Sequence, residues 1–480
     1  MNRRMCAFII GWVLRLEAVL MVPAMICAVY YREAAGLSLL WSALICMAAG
    51  LVIAWKRPED TAFYAREGLV TVALSWVVMS VFGSLPFVFS GAIPNPVNAL
   101  FETVSGFTTT GASILSDVES LPRCILFWRS FTHWIGGMGV LVFLLTLLPL
   151  AGGSPMNLMR AESPGPSVGR LLPRVQSTAK ILYKIYIGMT LTQFVLLLIA
   201  RMPAFDAMLL TFGTAGTGGF GVLNDSLGSY TAVQQGIVTV FMILFGVNFS
   251  FYFLILAKNA KQAFKIEEIR LYLAIIVICI AAIATNLILT HTDTPLSAMH
   301  HAAFQVGSIM TTTGYSTRDF SAWPEFSRTI LLLLMMLGAC AGSTGGGFKV
   351  ARLLILFKTV RKEVTLLLHP HSVKRISMDG KPMDGDVIRG TQVFLTVYVL
   401  IFLGSFLLIS LDGFSTMTNF SAVAATIGNI GPGLDLVGPA ANYSFFSVPA
   451  KLVLILDMLA GRLELFPLLV LFFRGTWKKF

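Results

Sequence analysis

Ten stretches of this sequence stay apolar over the roughly 20 residues that an α-helix needs to cross a bilayer. They lie near 7–30, 36–55, 69–90, 124–150, 182–202, 232–257, 271–290, 326–357, 388–411 and 449–473. So many runs of that length point to one fold class, a polytopic bundle of membrane helices. Lipid offers the backbone no hydrogen bonds, and a helix satisfies its own. Composition agrees: 56% of the 480 residues are hydrophobic, 12% are charged and the mean hydropathy is +0.79. A soluble chain of this size cannot bury so much apolar surface. The start, MNRRMCAFII, resembles the basic head of a signal peptide. Arg15 and Glu17 interrupt the apolar stretch, however, and no small-residue cleavage site follows closely. A retained first helix is therefore expected.

The net charge of +11 raises the possibility of a nucleic-acid partner, but the placement of the charge argues against one. Basic residues gather in alternate loops: Lys56 and Arg57; Arg160, Arg170, Arg174 and Lys180; Lys258, Lys261, Lys265 and Arg270; and the stretch from Lys349 to Arg389. The loops between carry only Arg32, Arg123, Arg201, Arg318 and Arg328, with no lysine outside helix ends. This alternation is the positive-inside pattern, which predicts both termini on the cytoplasmic side. The six cysteines are scattered without a C-x-x-C pair, so neither a disulfide frame nor a metal knuckle is indicated.

Four further apolar stretches are too short to span: 95–107, 205–216, 295–309 and 415–427. Apolar runs of about 10–14 residues between long spans are re-entrant candidates. Each runs into a glycine-bearing phrase: TTTGA at Gly111, GTGGF at Gly219, TTTGY at Gly314 and GNIGP at Gly431. Two of these phrases, TTTGASILSD (108–117) and TTTGYSTRDF (311–320), are nearly the same. The intervals between the glycines are 108, 95 and 117 residues, and each holds a span, a loop, a span and another short helix. The chain therefore reads as a repeat of span, half-helix, glycine loop and span, occurring four times after two leading helices. Repeats around an axis along the membrane normal place the four loops at one depth.

Non-helical backbone inside a bilayer survives only where protein or a water-filled cavity satisfies it, so four such loops imply a cavity on their axis. Glycine reaches positive φ and lets successive carbonyls share a direction. Rings of carbonyls can replace the hydration shell of a monovalent cation. The C-terminal ends of the half-helices add negative dipole charge at the same point. Thr109, Thr110, Thr312 and Thr313 contribute further oxygens. One TTTG alone reads as an ordinary turn; four glycine loops at equivalent places do not.

At these motifs the sequence resembles the TrkH-type membrane subunit of the Trk/Ktr/HKT superfamily of potassium transporters, over essentially the whole chain. TTTGA, TGGFG, TTTGYS and NIGPGL carry the resemblance, with GACAGSTGGGFK (338–349) and AGRLELF (460–466). It implies an all-α polytopic membrane protein. Four pseudo-fourfold repeats of span, re-entrant pore helix, filter loop and span would follow two leading helices. Residues 1–60 would hold the leading helices, and 61–155, 156–262, 263–365 and 366–480 the repeats. The implied potassium filter is Thr109, Thr110 and Gly111; Thr217, Gly218 and Gly219; Thr312, Thr313 and Gly314; and Asn429, Ile430 and Gly431. Members with serine in the first loop tend to favour sodium, and all four key positions are glycine here.

GACAGSTGGGFK has five glycines in twelve residues inside an apolar run. It is not a nucleotide loop, because Phe348 separates Gly347 from Lys349. It reads either as a kink at a wide helix junction or as a mobile plug. The resemblance implies the plug, a gate formed by Gly342, Ser343, Thr344, Gly345, Gly346, Gly347 and Lys349. Arg462 lies near the middle of the last span, where an arginine is costly and either functional or paired. The resemblance implies a pore-facing restraint on the ion; a buried pair with Asp457 or Glu464 is the structural alternative. Lys451 can snorkel and receives no role. His291, Asp293, His300 and His301 lie close together without a metal-site pattern. HWIGGMG (133–139) reads as an interfacial His-Trp followed by glycines for close helix approach.

The function read from all this is potassium uptake across a bacterial cytoplasmic membrane through a gated, pore-like path. Two alternatives are symport with sodium or protons and the potassium-binding subunit of an ATP-driven pump. Apart from Asp457 and Glu102, no buried carboxylate chain of the proton-relay kind stands out. An enzyme is not expected, because no acid, base or nucleophile set can be assembled. Potassium is the expected cargo, with no organic cofactor. The expected partners are the lipid bilayer, a second copy in a homodimer and a TrkA-like cytoplasmic ring of nucleotide-binding subunits.

Overall fold

The structure, a computed structural model, describes residues 1–60, 63–139 and 175–478. Two leading helices come first: a span from Arg3 to Tyr31, and Gly36–Ile53 antiparallel to it. Gly11 and Gly50 let their backbones touch, since a methyl added to Gly50 would sit 2.7 Å from the Gly11 carbonyl oxygen. Arg15, costly inside a membrane, donates to the carbonyls of Gly50 (3.2 Å) and Ala54 (3.3 Å). Those carbonyls lie in the last turn and C-cap of the helix and carry its negative dipole end.

Four sets of outer helix, half-helix and inner helix follow. The half-helices are Pro96–Phe107, Ala204–Gly216, Pro295–Met310 and Thr416–Ile427, within one residue of the stretches read from the sequence. Their starts are written in the local chemistry. Asn95 Oδ1 accepts from the backbone N–H groups of Val97 and Asn98, and Ser415 Oγ from that of Thr418. Pro203 caps the second half-helix, and Pro295 opens the third with the φ a first turn needs. The outer helices Glu267–Leu289 and Gly385–Ile409 leave apolar Val277, Ile278 and Leu407 exposed on the outside.

The inner helices differ from the reading of unbroken spans. The run 232–257 is two helices, Ala232–Phe245 and Phe249–Leu256, at 90° to each other. The run 326–357 stops at Met335 and resumes at Val350. The run 449–473 breaks after Arg462, with Glu464 and Leu465 at φ of 55° and 66° before Phe466–Phe472. These breaks persist because distant elements satisfy the freed backbone. Cys340 N donates to Gly246 O (3.0 Å), and Phe249 N to Gly342 O (3.0 Å). Among the described residues, six helices are long and apolar enough to cross a membrane, or seven with the bent pair. The first inner helix, Arg123–Met138, reaches Gly139 at φ 80°. The rest of that expected span, with Arg160, Arg170 and Arg174, lies outside the described residues.

The leading pair is tied to the first inner helix by one carboxylate. Glu33, at the turn between the leading helices, accepts from the backbone N–H groups of Arg123 and Cys124, both at 2.8 Å. The Arg123 guanidinium lies 4.4 Å from the Tyr31 ring centroid. Glu33→Ala should cost about 1–2 kcal/mol, the usual loss for a helix cap. It should lower the unfolding midpoint of the detergent-solubilised protein. An unchanged midpoint would show that the cap does not hold the leading pair.

Candidate functional site

All four half-helices end alike. The N–H groups of Thr109, Thr217, Thr312 and Asn429 donate to Gly106, Thr214, Ile309 and Thr426. Those of Thr110, Gly218, Thr313 and Ile430 donate to Ser105, Gly213, Ser308 and Ala425, each at 2.8 Å. This pairing is a Schellman cap, which requires a left-handed residue just past the helix. Thr109, Thr217, Thr312 and Asn429 fill that place at φ of 54°, 54°, 60° and 54°. Two residues later Gly111, Gly219, Gly314 and Gly431 take φ of 81°, 80°, 86° and 96°. The glycines are legible in the sequence; the left-handed conformation of the three threonines and of Asn429 is not.

The four loops close on one another. A methyl added to Gly111 would overlap the carbonyl oxygen of Gly218. One on Gly219 would overlap that of Thr313, and one on Gly314 that of Ile430. One on Gly431 would lie 2.7 Å from the carbonyl oxygen of Thr110. Each glycine thus meets the next loop, and the fourth returns to the first. In the stretches 109–111, 217–219, 312–314 and 429–431 the backbone carbonyls accept no hydrogen bond from any described residue, with one exception. That exception is Gly431, which accepts from Tyr443 Oη at 2.7 Å. A buried ring of unpaired carbonyls is rare, because each normally has a partner. On one side all four glycines line a cavity of about 110 Å³, together with Arg129.

Side chains clamp the junctions. His133, read as interfacial, is fully buried between the first two loops. Its Nδ1 donates to Gly106 O (2.7 Å) and its Nε2 accepts from Phe220 N (3.2 Å). Gly136 and Gly137 serve the close approach read for them, against Phe107 O and Gly216 Cα. Tyr315 Oη reaches Leu210 O (3.1 Å) and Phe220 O (3.3 Å), joining loops three and two. Asn429 Nδ2 donates to Thr110 Oγ1 (2.9 Å) and to Met458 O (2.9 Å), joining loops four and one. Lys451, given no role, reaches Asn98 Oδ1 at 2.9 Å and ties the same two repeats together. The repeated TTT has a reason too. Thr108 and Thr311 bond back to Val104 O and Gly307 O, and meet Thr110 and Thr313 at 2.7 Å.

Glu102 and Arg129 form a buried ion pair at 2.7 Å, 0% and 3% exposed. Glu102 also accepts from Ser113 Oγ and Ile114 N, and Arg129 donates to Gly221 O. Its guanidinium lies 3.5 Å from the Phe220 ring centroid.

The glycine-rich segment 338–349 lies on the other side of the ring. Gly346 N donates to Thr312 Oγ1 (2.7 Å), and a methyl on Gly345 or Gly346 would sit 2.9 Å from the carbonyl oxygens of Thr311 or Gly428. The segment therefore spans the underside of loops three and four. Gly338 and Gly347 bridge its neck, and Thr344 Oγ1 donates to Phe245 O (3.2 Å). Gly342, Gly347 and Lys349 take φ of 71°, 76° and 72°; Lys349 Nζ donates to Gly345 O, and Ser343 Oγ to Cys340 O (2.6 Å). Arg462 Nη1 donates to Thr344 O (2.8 Å), and Nη2 to the carbonyls of Gly136 and Gly137 (3.0 Å to the latter). The carboxylates considered as its partners are engaged elsewhere. Asp457 accepts from Ser405 Oγ (2.6 Å), and Glu464 pairs with Arg352.

Residues 38–477 match the family model TrkH, described as cation transport protein. The chain belongs to the TrkH family of cation transport proteins. It is 36% identical over 487 residues to the Trk system potassium uptake protein TrkH of Salmonella typhimurium, with 100% of both chains covered. It is 36% identical over 475 residues to the protein of that name in Escherichia coli K12, covering 97% of each. The crystal structure of the potassium transporter TrkH from Vibrio parahaemolyticus matches with a TM-score of 0.90 at 34% identity, covering 100% of both chains. The family is one of membrane transporters and not of enzymes. The grouped histidines have separate partners: His300 meets Gln235 Oε1 (2.7 Å), His301 meets Thr317 Oγ1 (2.8 Å), and Asp293 pairs with Arg318.

Removing one partner of the Glu102–Arg129 pair strands a buried charge, at a cost of about 3–5 kcal/mol. Glu102→Gln should therefore yield much less folded protein. Adding Arg129→Met to it should restore part of the yield. If the double variant is no better than the single, the stranded charge is not the cause.

Proposed function

We propose that this chain carries potassium into a bacterial cell across the cytoplasmic membrane, with the four-loop ring as selectivity filter and segment 338–349 as gate. The observation that carries this reading is the buried ring of unpaired carbonyls contributed by all four repeats. An ion entering it exchanges hydration water for carbonyl oxygens. The half-helix C-termini converge on the same point and stabilise positive charge there. No carboxylate belongs to the ring, so a cation is held by dipoles alone and can leave. The relatives, potassium uptake proteins and a potassium transporter by name, support the choice of ion.

On this reading the cavity beside the glycines opens to the outside, and both termini face the cytoplasm with the basic loops. A homodimer docked on a cytoplasmic nucleotide-binding ring fits those basic loops. The glycine-rich segment lies across the path just past the filter. Arg462 holds it to the opposite wall and places a positive charge near the axis, which repels a cation most strongly where water is scarce. Glu102 belongs to the frame of the filter, through Arg129 and Ile114 N. That use favours a channel-like path over a proton relay.

Gly→Ser at 111, 219 or 314 should reduce potassium-over-sodium discrimination by about tenfold or more, since the side chain displaces a carbonyl of the next loop. Gly431→Ser, with the widest contact, should do least. Liposome uptake of rubidium against sodium measures this, and unchanged selectivity in all four variants sinks the filter assignment.

Arg462→Gln, and separately deletion of 342–346, should raise flux per folded molecule several-fold while leaving selectivity nearly intact. Equal or lower flux in both would remove the gate from the segment.

A further inference from the structure

Beyond the glycine-rich segment lies a small hairpin that the sequence reading left unassigned. Ser377–Met378 pairs antiparallel with Lys381–Pro382 around Asp379 and Gly380, at φ of 52° and 77°. This is the aspartate-glycine turn that suits a two-residue hairpin. One contact joins it to the segment, and others tie it to the two helices alongside. Met378, 8% exposed, packs in one buried cluster with Ala341 of the segment and Ala351 and Ile355 of the helix that follows. Asp379 Oδ1 accepts from Glu267 N (2.8 Å) at the start of the third outer helix. Lys358 pairs with Glu267 and donates to Ser377 O (2.7 Å), so hairpin, outer helix and following helix meet at one knot. The next residue, the buried Glu268, accepts from Ala341 N at 2.6 Å. Adjacent glutamates thus hold the hairpin's support and the segment's shoulder.

We propose that this hairpin is a brace that keeps the glycine-rich segment seated beneath the ring, with Met378 as the positioning residue. The segment's middle meets Thr312 and Asn429, and its Ala341 shoulder is confined by Glu268 on one side and by the Met378 cluster on another. Withdrawal from the ring needs the shoulder to move, and the shoulder moves only as far as the hairpin allows. Displacing the hairpin therefore releases the segment without touching any filter residue. The inference rests on the gate reading above.

Cys340 is a native reporter, fully buried beside Ala341. The full-length protein in liposomes is assayed for rubidium uptake per folded molecule. Labelling of Cys340 by a charged thiol reagent is followed by peptide mass spectrometry. Met378→Ala should raise flux several-fold and speed Cys340 labelling about tenfold, the signature of a loosened contact and not of an altered filter. The rubidium-to-sodium ratio should not change, and Met378→Leu should behave as the parent. Asp379→Ala, in an exposed turn, should move both readouts the same way by about twofold, and it decides the question if Met378→Ala does not fold. Parental flux and labelling, in Met378→Ala or in that substitute, overturn the brace if Arg462→Gln still raises flux. If Arg462→Gln and the 342–346 deletion also leave flux unchanged, the gate reading fails and takes the brace with it.

Discussion

The architecture depends on one repeated contact, the α-carbon of a positive-φ glycine against the carbonyl of the next loop. Made four times in a circle, it leaves no room for a side chain at Gly111, Gly219 or Gly314, and little at Gly431. It also requires a left-handed residue two positions earlier, which here is threonine three times. Threonine in that conformation is strained by roughly 1–3 kcal/mol and persists only where its surroundings over-determine it. The surroundings do so: His133, Tyr315 and Asn429 each reach from one repeat into the loop of another.

The two sides of the ring are built differently. On the cavity side the nearby charge is neutralised, because Arg129 is paired with Glu102 and stacked on Phe220. On the other side Arg462 donates to the carbonyls of Thr344, Gly136 and Gly137, and its guanidinium lies 5.8 Å from the Trp76 ring centroid. The junction of loops three and four is spanned there by the glycine-rich segment. The segment's own contacts, with Arg462, Glu268 and the cluster around Met378, come from three other elements. The segment is thus held by several non-covalent contacts, and Cys340, Ala341 and Thr344 within it are buried.

Much of the site was legible because its signals are local. The half-helices announce themselves through Asn95, Pro203, Pro295 and Ser415, and their ends through the glycine phrases. The charge pattern and the apolar runs are likewise properties of short windows. His133 was misread because a histidine-tryptophan pair near a helix end looks interfacial. Only the fold shows that the imidazole lies between Gly106 and Phe220. Lys451 receives no role from the sequence for a similar reason: its partner, Asn98, lies far away in the chain. The breaks in 232–257 and 449–473 were hidden because an apolar run has the same hydropathy whether or not its helix is continuous.

The sequence by itself determined the membrane class, the four half-helices and the four glycines, since each follows from side-chain hydrophobicity or backbone freedom within a few residues. The tertiary structure decided which carbonyl each glycine meets, where the inner helices break and what holds the glycine-rich segment. Those depend on hydrogen bonds between groups far apart in the chain. At the helix breaks the freed backbone groups stay in place because distant partners satisfy them, as Gly246 O does for Cys340 N.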